Sequence, residues 1–347
     1  MAQGGRPPTG DRPRCQCHVV LHEVTAGGVE RPAGRVTLVV QHDAVPALLP
    51  VTVRETISRK PSSAGTICST RGTDDQEGAA MNPETAAGVF TAARSEFAAW
   101  SGRLWRPLGE ILAAVARPRP GERVLDACCG TGASAIPAAR AVGPDGAVDA
   151  IDVAEGLLDE GCREAAALGL GNLRFTAADV LTWPHDGYDV VQSAFGVFFF
   201  PDMDAGSRRL AGLLKPGGRF AVSTWRADGM SRIVPIGRAA ALPDRPELED
   251  APPRPNHSAR VDTAGKLADW LSSIGLRDVE VREVAYVQPL HPEDAWTFYL
   301  GSSMRGFVSG LSAEALDRVR ARFFDGLREA GLDTLDAGAL IGVGRRP

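Results

Sequence analysis

From residue 121 onward, short apolar runs alternate with amphipathic stretches along the chain. The apolar runs predict seven strands, which are Arg123–Ala127, Gly146–Asp152, Asn172–Thr176, Tyr188–Ser193, Gly218–Thr224, Val279–Val287 and Ala339–Val343. Apolar residues at helical spacing predict helices between the strands, among them a helix over 263–274 and one capped by Ser312. Strands that alternate with helices indicate an α/β fold, with a mostly parallel sheet covered on both faces.

The N-terminal part of the chain has a different composition. Residues 1–80 are rich in Gly, Pro, Arg, Ser and Thr and carry only scattered apolar runs. We expect this segment to be disordered, or to be a non-native extension with Met81 as the natural start, because so little apolar surface cannot offset the entropy of ordering. We therefore divide the chain into an N-terminal segment 1–80, cap helices 81–120 and a main domain 121–347, which contains an insertion 226–262 and a helical cap 292–331.

Charge and composition exclude several classes of protein. The net charge of −5 argues against a nucleic-acid partner, because neutralising phosphates requires a basic face. The chain has no run of about 18 apolar residues, so we expect no membrane span, and we expect a cytoplasmic location. Cys15, Cys17, His18 and His22 lie close together, but we expect no metal site in a segment of this composition. The oligomeric state stays open, with a homodimer as one option.

One segment carries the candidate chemistry: an apolar strand ends in Asp126, and a turn of small residues then leads into a helix. Such a turn lets backbone N–H groups approach a ligand closely. Asp152, at the end of the second strand, is suited to binding the two hydroxyls of a ribose. The pattern Gly130-x-Gly132-x-x-Ala135 also fits a nicotinamide dinucleotide, but Asp126 would repel its pyrophosphate. A carboxylate attracts the cationic amine and sulfonium of S-adenosylmethionine (SAM), and this favours SAM as the ligand.

These motifs resemble those of class I SAM-dependent methyltransferases of the ubiquinone/menaquinone type, over about residues 83–345. The family's glycine loop reads Asp-x-Gly-x-Gly-x-Gly, and Cys128 stands here in place of its first glycine. The resemblance implies a Rossmann-like, seven-stranded, mostly parallel sheet with an antiparallel last strand, which Ala339–Val343 would supply. It also implies helical cap elements around the sheet.

The resemblance further implies a set of residues that bind SAM as the cofactor. Asp152 takes the place of the acid that binds the ribose, and Asp179 that of the residue that contacts the adenine amine. The implied cofactor residues are Asp126, Cys128, Gly130, Thr131, Gly132, Asp152, Val153, Asp179, Val180, Ser193 and Ala194.

Aromatic residues near the predicted ligand edge of the sheet predict a small, apolar or aromatic acceptor. Its atom of methylation (C, O or N) stays open, and so does its setting in quinone-like or specialised metabolism. In the late helices Trp296, Phe298, Tyr299 and Met304 are candidates to line its pocket, and we select Tyr299. The expected pocket residues are Trp100, Trp105, Phe195, Phe198, Phe199 and Tyr299.

Two histidines are candidate catalytic bases. Ligands lie beyond the carboxyl ends of parallel strands. His257 follows the fifth strand and His291 follows the sixth, whereas His185 precedes the fourth and lies at the opposite end. Tyr286 and Arg226 are weaker candidates.

Two further functions stay open: a SAM-binding protein without methyl transfer, as a cyclase or regulator, and an RNA methyltransferase. Ala194-Phe-Gly-Val197 replaces the Asn/Asp-Pro-Pro-Tyr/Phe tetrapeptide of adenine-methylating enzymes, so we rank the RNA function low. We rank a nicotinamide-dependent oxidoreductase lower still, because of Asp126.

Overall fold

A computed structural model describes residues 19–22, 35–40, 51–56, 83–250 and 257–347. One large sheet runs through these residues, and a two-stranded ribbon accompanies it. The strands are β1 (Val19–His22), β2 (Arg35–Val40), β3 (Val51–Thr56), β4 (Arg123–Ala127), β5 (Ala147–Asp152), β6 (Leu173–Ala177), β7 (Tyr188–Ala194), β8 (Leu214–Trp225), β9 (Arg277–Ala285), β10 (Val287–Pro289), β11 (Thr334–Asp336) and β12 (Ala339–Arg345). Strands β10 and β11 form the ribbon.

The strand order of the large sheet is β1-β2-β3-β9-β12-β8-β7-β4-β5-β6. Strands β4 to β8 pair in parallel, and β12 pairs antiparallel with both β8 and β9. The predicted seven-stranded, mostly parallel sheet with an antiparallel last strand is thus confirmed. Four of the five residues of β4 are buried, as expected for a strand with both faces covered.

The helices that cover the sheet account for most of the remaining described residues. They are α1 (Pro83–Ala92), α2 (Arg94–Ala99), α3 (Arg106–Ala116), α4 (Ala135–Val142), α5 (Glu155–Ala167), α6 (Met203–Gly212), α7 (Ile233–Ala241), α8 (Glu247–Asp250), α9 (Ala264–Ser273), α10 (Pro292–Leu300) and α11 (Ala313–Glu329). The predicted cap of α11 is confirmed, because the Ser312 hydroxyl accepts a hydrogen bond from the Ala315 N–H. Helix α3 ends where Arg117 adopts a left-handed φ of 51°, just before Pro118.

The core has two layers, one on each face of the sheet. Val190 of β7 packs into the layer formed with α3, α4, α7, α10 and α11. Its neighbour Val191 packs into the layer formed with α6 and α9. Successive strand residues point to opposite faces, so an apolar run without interruption is what a strand between two layers requires.

Two elements differ from the sequence-based expectation. Between α2 and α3 the chain forms a π-helical turn, Ser101–Trp105, which the predicted cap helices over 81–120 did not include. The predicted strand Val279–Val287 ends at Ala285, and Val287 belongs to β10. This break moves the chain from the large sheet into the ribbon that borders the cap.

The N-terminal segment is described only in part. Strands β1, β2 and β3 extend the sheet beyond β9, all in antiparallel pairing, where we expected no regular elements. The rest of residues 1–80, with Cys15, Cys17 and His18, lies outside the described residues. The role of Met81 stays a prediction, as do the proposed domain boundaries.

Candidate active site

The turn after β4 adopts a backbone that requires small residues. Cys128, Gly130 and Gly132 have left-handed φ values of 57°, 53° and 82°. A Cβ on Gly132 would lie 2.7 Å from Cζ of Phe175, so a larger residue would displace the Phe175 ring and strain a backbone of positive φ. The turn is tied to the next strand, since the Cys129 N–H donates to the carbonyl of Ile151.

Asp126 lies fully buried at the foot of this turn. Its Oδ2 accepts hydrogen bonds from Ser134 Oγ at 2.7 Å and from Gln192 Nε2 at 2.9 Å. Its Oδ1 has no hydrogen-bond partner within the described structure. Burial raises the pKa of Asp126 to about 7, against the lowering effect of the two hydrogen bonds. A buried carboxylate oxygen without a partner is suited to receiving a cation.

Asp152, at the end of β5, holds the glycine turn in place. Its two carboxylate oxygens accept hydrogen bonds from the N–H groups of Gly130 (2.8 Å) and Ala154 (2.9 Å). Burial raises the pKa of Asp152, while these backbone hydrogen bonds oppose that effect. Each carboxylate oxygen can accept two hydrogen bonds, so capacity remains for the hydroxyls of a ribose. Val153 lies between the carboxylate and α5.

The other implied cofactor residues surround the same edge of the sheet. Asp179 follows β6 and accepts a hydrogen bond from the Leu181 N–H at 2.9 Å, while Val180 is buried beside it. Ser193 precedes Ala194, the last residue of β7, and the buried hydroxyl of Ser193 has no partner among the described residues. A Cβ on Gly196 would lie 2.5 Å from the Cys128 Cβ and 2.7 Å from the Ser193 Oγ, so these two side chains lie close together.

The electrostatics of this edge are those of a cation site. Burial raises the pKa of the Cys128 thiol, and three carboxylates near it raise this pKa further. They belong to Asp152, Asp126 and Asp179. Negative charge from three strand ends therefore converges on one turn, which attracts an amine or sulfonium and repels a diphosphate.

Aromatic rings of the N-terminal helices cover the turn. The Phe97 ring lies 3.7 Å from the position of a Cβ on Gly130. It stacks on Trp105 with ring centroids 4.7 Å apart and an angle of 6° between the planes. Phe90 contacts Phe199 edge to face at 5.6 Å. Trp105 and Phe199 are among the predicted pocket residues, whereas Phe90 and Phe97 are not.

A second pair of rings lies at the ends of β7 and β8. Phe195 adopts a left-handed φ of 54°, a conformation that costs a non-glycine residue about 1–2 kcal/mol. This backbone places its ring in a stack with Trp225, with centroids 4.0 Å apart. Trp105 lies 6.5 Å from Phe195 and 6.4 Å from Phe298. Sequence reasoning missed Trp225, although it shares its strand face with Ala221.

Tyr299, which we selected for the pocket, lies elsewhere. Its ring is fully buried against Trp296 and Phe323 of the cap, and its hydroxyl donates to the carbonyl of Gly237 at 3.0 Å. The adjacent Phe298 reaches the Trp105 ring instead. Tyr299 therefore lies in the packed core of the cap, and its neighbour Phe298 is the residue of α10 that lies next to Trp105.

Trp100 and Phe198, also selected for the pocket, take different positions. The Trp100 ring is buried, and its indole N–H donates to the carbonyl of Asp294 at 3.3 Å, which joins the N-terminal helices to α10. Phe198 is half-buried and contacts the Phe199 ring at 4.9 Å. Phe198 therefore lies beside the predicted pocket residue Phe199, while Trp100 connects the N-terminal helices to the cap.

The two candidate bases differ in their surroundings. The short helix His257–Arg260 packs against the turn Val197–Phe199 that follows β7. Both ring nitrogens of His257 are buried and lack a partner in the described structure, and burial, followed by Arg260, lowers its pKa. His291 is exposed at the start of α10.

The weaker candidates already have protein partners. The Tyr286 hydroxyl donates to the carbonyl of Arg103, and Arg226 forms an ion pair with Asp336.

Comparison with known proteins shows which class of protein has this fold and glycine turn. The sequence profile of the ubiE/COQ5 methyltransferase family matches residues 99–230. The chain is 34% identical over 160 residues to the aklanonic acid methyltransferase DauC of Streptomyces sp. (strain C5), covering 46% of this chain and 68% of that protein. It is 37% identical over 215 residues to nocamycin O-methyltransferase of Saccharothrix syringae, covering 57% of this chain and 71% of that protein.

A solved structure agrees with the fold. The crystal structure of the [4+2]-cyclase SpnF superposes with a TM-score of 0.50 at 16% identity, covering 78% of this chain and 99% of that one. At this identity the likeness concerns the fold alone. The glycine turn and the fold are those of a SAM-dependent methyltransferase. The chain belongs to the ubiE/COQ5 methyltransferase family.

The residues present fit SAM as the methyl donor. The unpartnered Oδ1 of Asp126 is suited to the ammonium of the methionyl group, and the acids that follow β5 and β6 are suited to the ribose and the adenine. These residue assignments stay proposals. No helix in the described ranges is long and apolar enough to cross a membrane.

Proposed function

We propose that this protein methylates a small, apolar or aromatic organic acceptor that binds against Phe195 and Trp225. The observation that carries the proposal is the stack of these two rings at the ends of β7 and β8, next to the turn we assign to SAM. Flat aromatic surfaces favour flat apolar ligands, since offset stacking adds about 0.5–1.5 kcal/mol per pair to area burial.

The names of the relatives support a small-molecule acceptor. DauC is named for aklanonic acid and the Saccharothrix protein for nocamycin. We propose by analogy that the acceptor belongs to specialised metabolism, with a quinone-like compound as the alternative.

The protein's own contribution to the reaction is alignment and exclusion of water. SAM, when bound, would supply a methyl group on a sulfonium, from which the neutral thioether S-adenosylhomocysteine leaves readily. Phe195 and Trp225 would hold the acceptor plane, while Phe97 and Trp105 cover the site and keep water out. Where the acceptor is a hydroxyl, we propose that His257 takes its proton, because a lowered pKa keeps the imidazole neutral near pH 7.

Labelled methyl transfer tests the proposal. The protein is incubated with [methyl-³H]SAM and a panel of hydroxylated two- to four-ring aromatics, with choline and transfer RNA as non-aromatic and nucleic-acid comparisons. We expect label in one or more aromatic products, together with an equal amount of S-adenosylhomocysteine. Phe195→Ala should lower kcat/KM about tenfold or more, since stacking and burial are both lost.

A matched control separates the pocket from general damage to the fold. Phe323→Leu removes an aromatic ring from the cap core, away from the Phe195–Trp225 stack. We expect Phe323→Leu to lower the melting temperature and to leave the choice among acceptors unchanged. Tight SAM binding without any labelled product would contradict the proposal and favour the alternative without methyl transfer.

A further inference from the structure

The indole N–H of Trp105 is a buried hydrogen-bond donor without an acceptor in the described structure. A buried donor that forms no hydrogen bond has lost its hydration without compensation. An indole N–H only donates, so the group needs an acceptor atom from elsewhere.

Other buried indoles in the described part of the chain have partners. The Trp100 N–H donates to the carbonyl of Asp294, the Trp183 N–H to the hydroxyl of Tyr188 at 2.9 Å, and the Trp270 N–H to Asp204 at 2.8 Å. Each of these three buried tryptophans has a hydrogen-bond partner for its N–H, whereas the buried N–H of Trp105, at the proposed acceptor site, has none in the described structure.

The rings around Trp105 offer its N–H no oxygen acceptor. Phe97 stacks on it, and the centroids of Phe195, Trp225 and Phe298 lie 6.5, 6.3 and 6.4 Å from it. Two of these rings form the stack at the ends of β7 and β8. The unsatisfied donor thus lies in an apolar setting that borders the proposed acceptor site.

The backbone also holds Trp105 in a particular orientation. It is the last residue of the π-helical turn Ser101–Trp105, an irregularity that is frequent at functional sites. The same turn is fixed by the Tyr286 hydroxyl, which donates to the carbonyl of Arg103 at 2.7 Å. A continuous α-helix would rotate the Trp105 ring away from this position.

We propose that the Trp105 indole N–H donates a hydrogen bond to an oxygen of the acceptor, and so selects flat ring systems that carry a carbonyl or similar oxygen near one edge. This inference rests on the proposed function and specifies its substrate class. An oxygen acceptor in this apolar setting recovers the desolvation cost of the donor, whereas a pure hydrocarbon leaves the N–H unpaired. Trp105 is then a specificity-determining residue of the acceptor site.

A pair of probes that differ in one oxygen tests the proposal. 1-Tetralone carries a ketone on a two-ring skeleton, and tetralin is the same skeleton without it. Their dissociation constants are measured by ligand-observed NMR, with S-adenosylhomocysteine present at saturation. Trp105→Phe keeps an aromatic ring and removes the N–H, so it should weaken 1-tetralone binding about three- to tenfold and change tetralin binding less than twofold.

Two further measurements separate the proposed role from a structural one. In the ¹⁵N-labelled wild-type protein, the indole N–H resonance that Trp105→Phe removes should shift with 1-tetralone and not with tetralin. Trp183→Phe removes an indole hydrogen bond to Tyr188, which begins β7 and so lies at the opposite end of the sheet. This control should leave the ratio of the two dissociation constants unchanged.

The outcomes distinguish this inference from the proposed function. If Trp105→Phe weakened the binding of both probes equally, or of neither, the proposed hydrogen bond would be overturned. The proposed aromatic acceptor site would not be affected by that result. Failure of both probes to bind the wild-type protein would overturn the aromatic acceptor site together with the inference that rests on it.

Discussion

Replacement of Asp126 by Asn tests the charge at the foot of the glycine turn. The substitution keeps the size of the side chain and an oxygen for the hydrogen bonds from Ser134 and Gln192, but it removes the negative charge. The Oδ1 without a partner is the atom that we assign to the ammonium of the methionyl group. Asp126→Asn should therefore weaken cofactor binding and leave the fold intact.

The magnitude follows from the environment of the carboxyl group. Burial raises its pKa to about 7, so the group is half protonated at pH 7 without ligand. Only the charged form attracts a cation, and the affinity of the wild-type protein should fall about tenfold between pH 8 and pH 6. At pH 8 the substitution removes a charged hydrogen bond of about 1.5–3 kcal/mol, which corresponds to roughly ten- to 150-fold weaker binding.

Isothermal titration with S-adenosylhomocysteine measures both effects, because this product keeps the ammonium and is chemically stable across this pH range. Titrations in two buffers of different ionisation enthalpy also report the proton released from Asp126 on binding. The reasoning would be refuted by a wild-type affinity that stays constant from pH 8 to pH 6. Equal pH dependence in the wild-type and Asp126→Asn proteins would refute it as well.

Three other predictions concern stability, the turn and the candidate base. The raised pKa of Asp126 stabilises the ligand-free protein fully below about pH 4, and this contribution is lost as the pH rises through about 7. Asp126→Asn should therefore raise the free energy of unfolding at pH 8 by up to about 4 kcal/mol, and with it the melting temperature in a calorimetric scan. An unchanged melting temperature at pH 8 would refute the raised pKa. Gly132→Ala should abolish S-adenosylhomocysteine binding in titration, because the new Cβ would lie 2.7 Å from Phe175. Gly121→Ala is the control, because Gly121 has a similar φ of 79° and open space around it, and this variant should still bind S-adenosylhomocysteine. Equal affinity in both variants would count against the turn as the site. His257→Asn should lower kcat about 100-fold on a hydroxyl acceptor. Because the pKa of His257 is lowered, the wild-type rate should decrease only when the pH falls below 6.5, the ordinary pKa of histidine. An unchanged kcat in His257→Asn would contradict the role of His257 as the base.

The fold was predictable where burial on both faces dictates the sequence. β4 has the same bounds in the prediction and in the structure, since a strand covered on two sides must be apolar until it ends at the ligand. Asp126 and Asp152 could be proposed from the residues themselves, because each lies at the end of a predicted strand, whereas the other candidate cofactor residues came from the resemblance to the family.

The acceptor site was less predictable because it depends on how separate elements pack. Phe298 and Tyr299 are neighbours on α10, about 100° apart around its axis, and only the packing of α10 against α2 decides which one faces Trp105. The π-helical turn that positions Trp105 was not predicted from the sequence. Trp225, by contrast, could have been found by counting alternate residues along β8 from the buried Ala221.

The crystal structure of the protein with S-adenosylhomocysteine is the most direct test of the central claim. We predict that the ribose hydroxyls lie within hydrogen-bond distance of the Asp152 carboxylate, and that the ammonium lies within hydrogen-bond distance of Asp126 Oδ1. Density for the ligand away from the turn after β4, or a turn that stays closed under Phe97 at saturating ligand, would contradict the account.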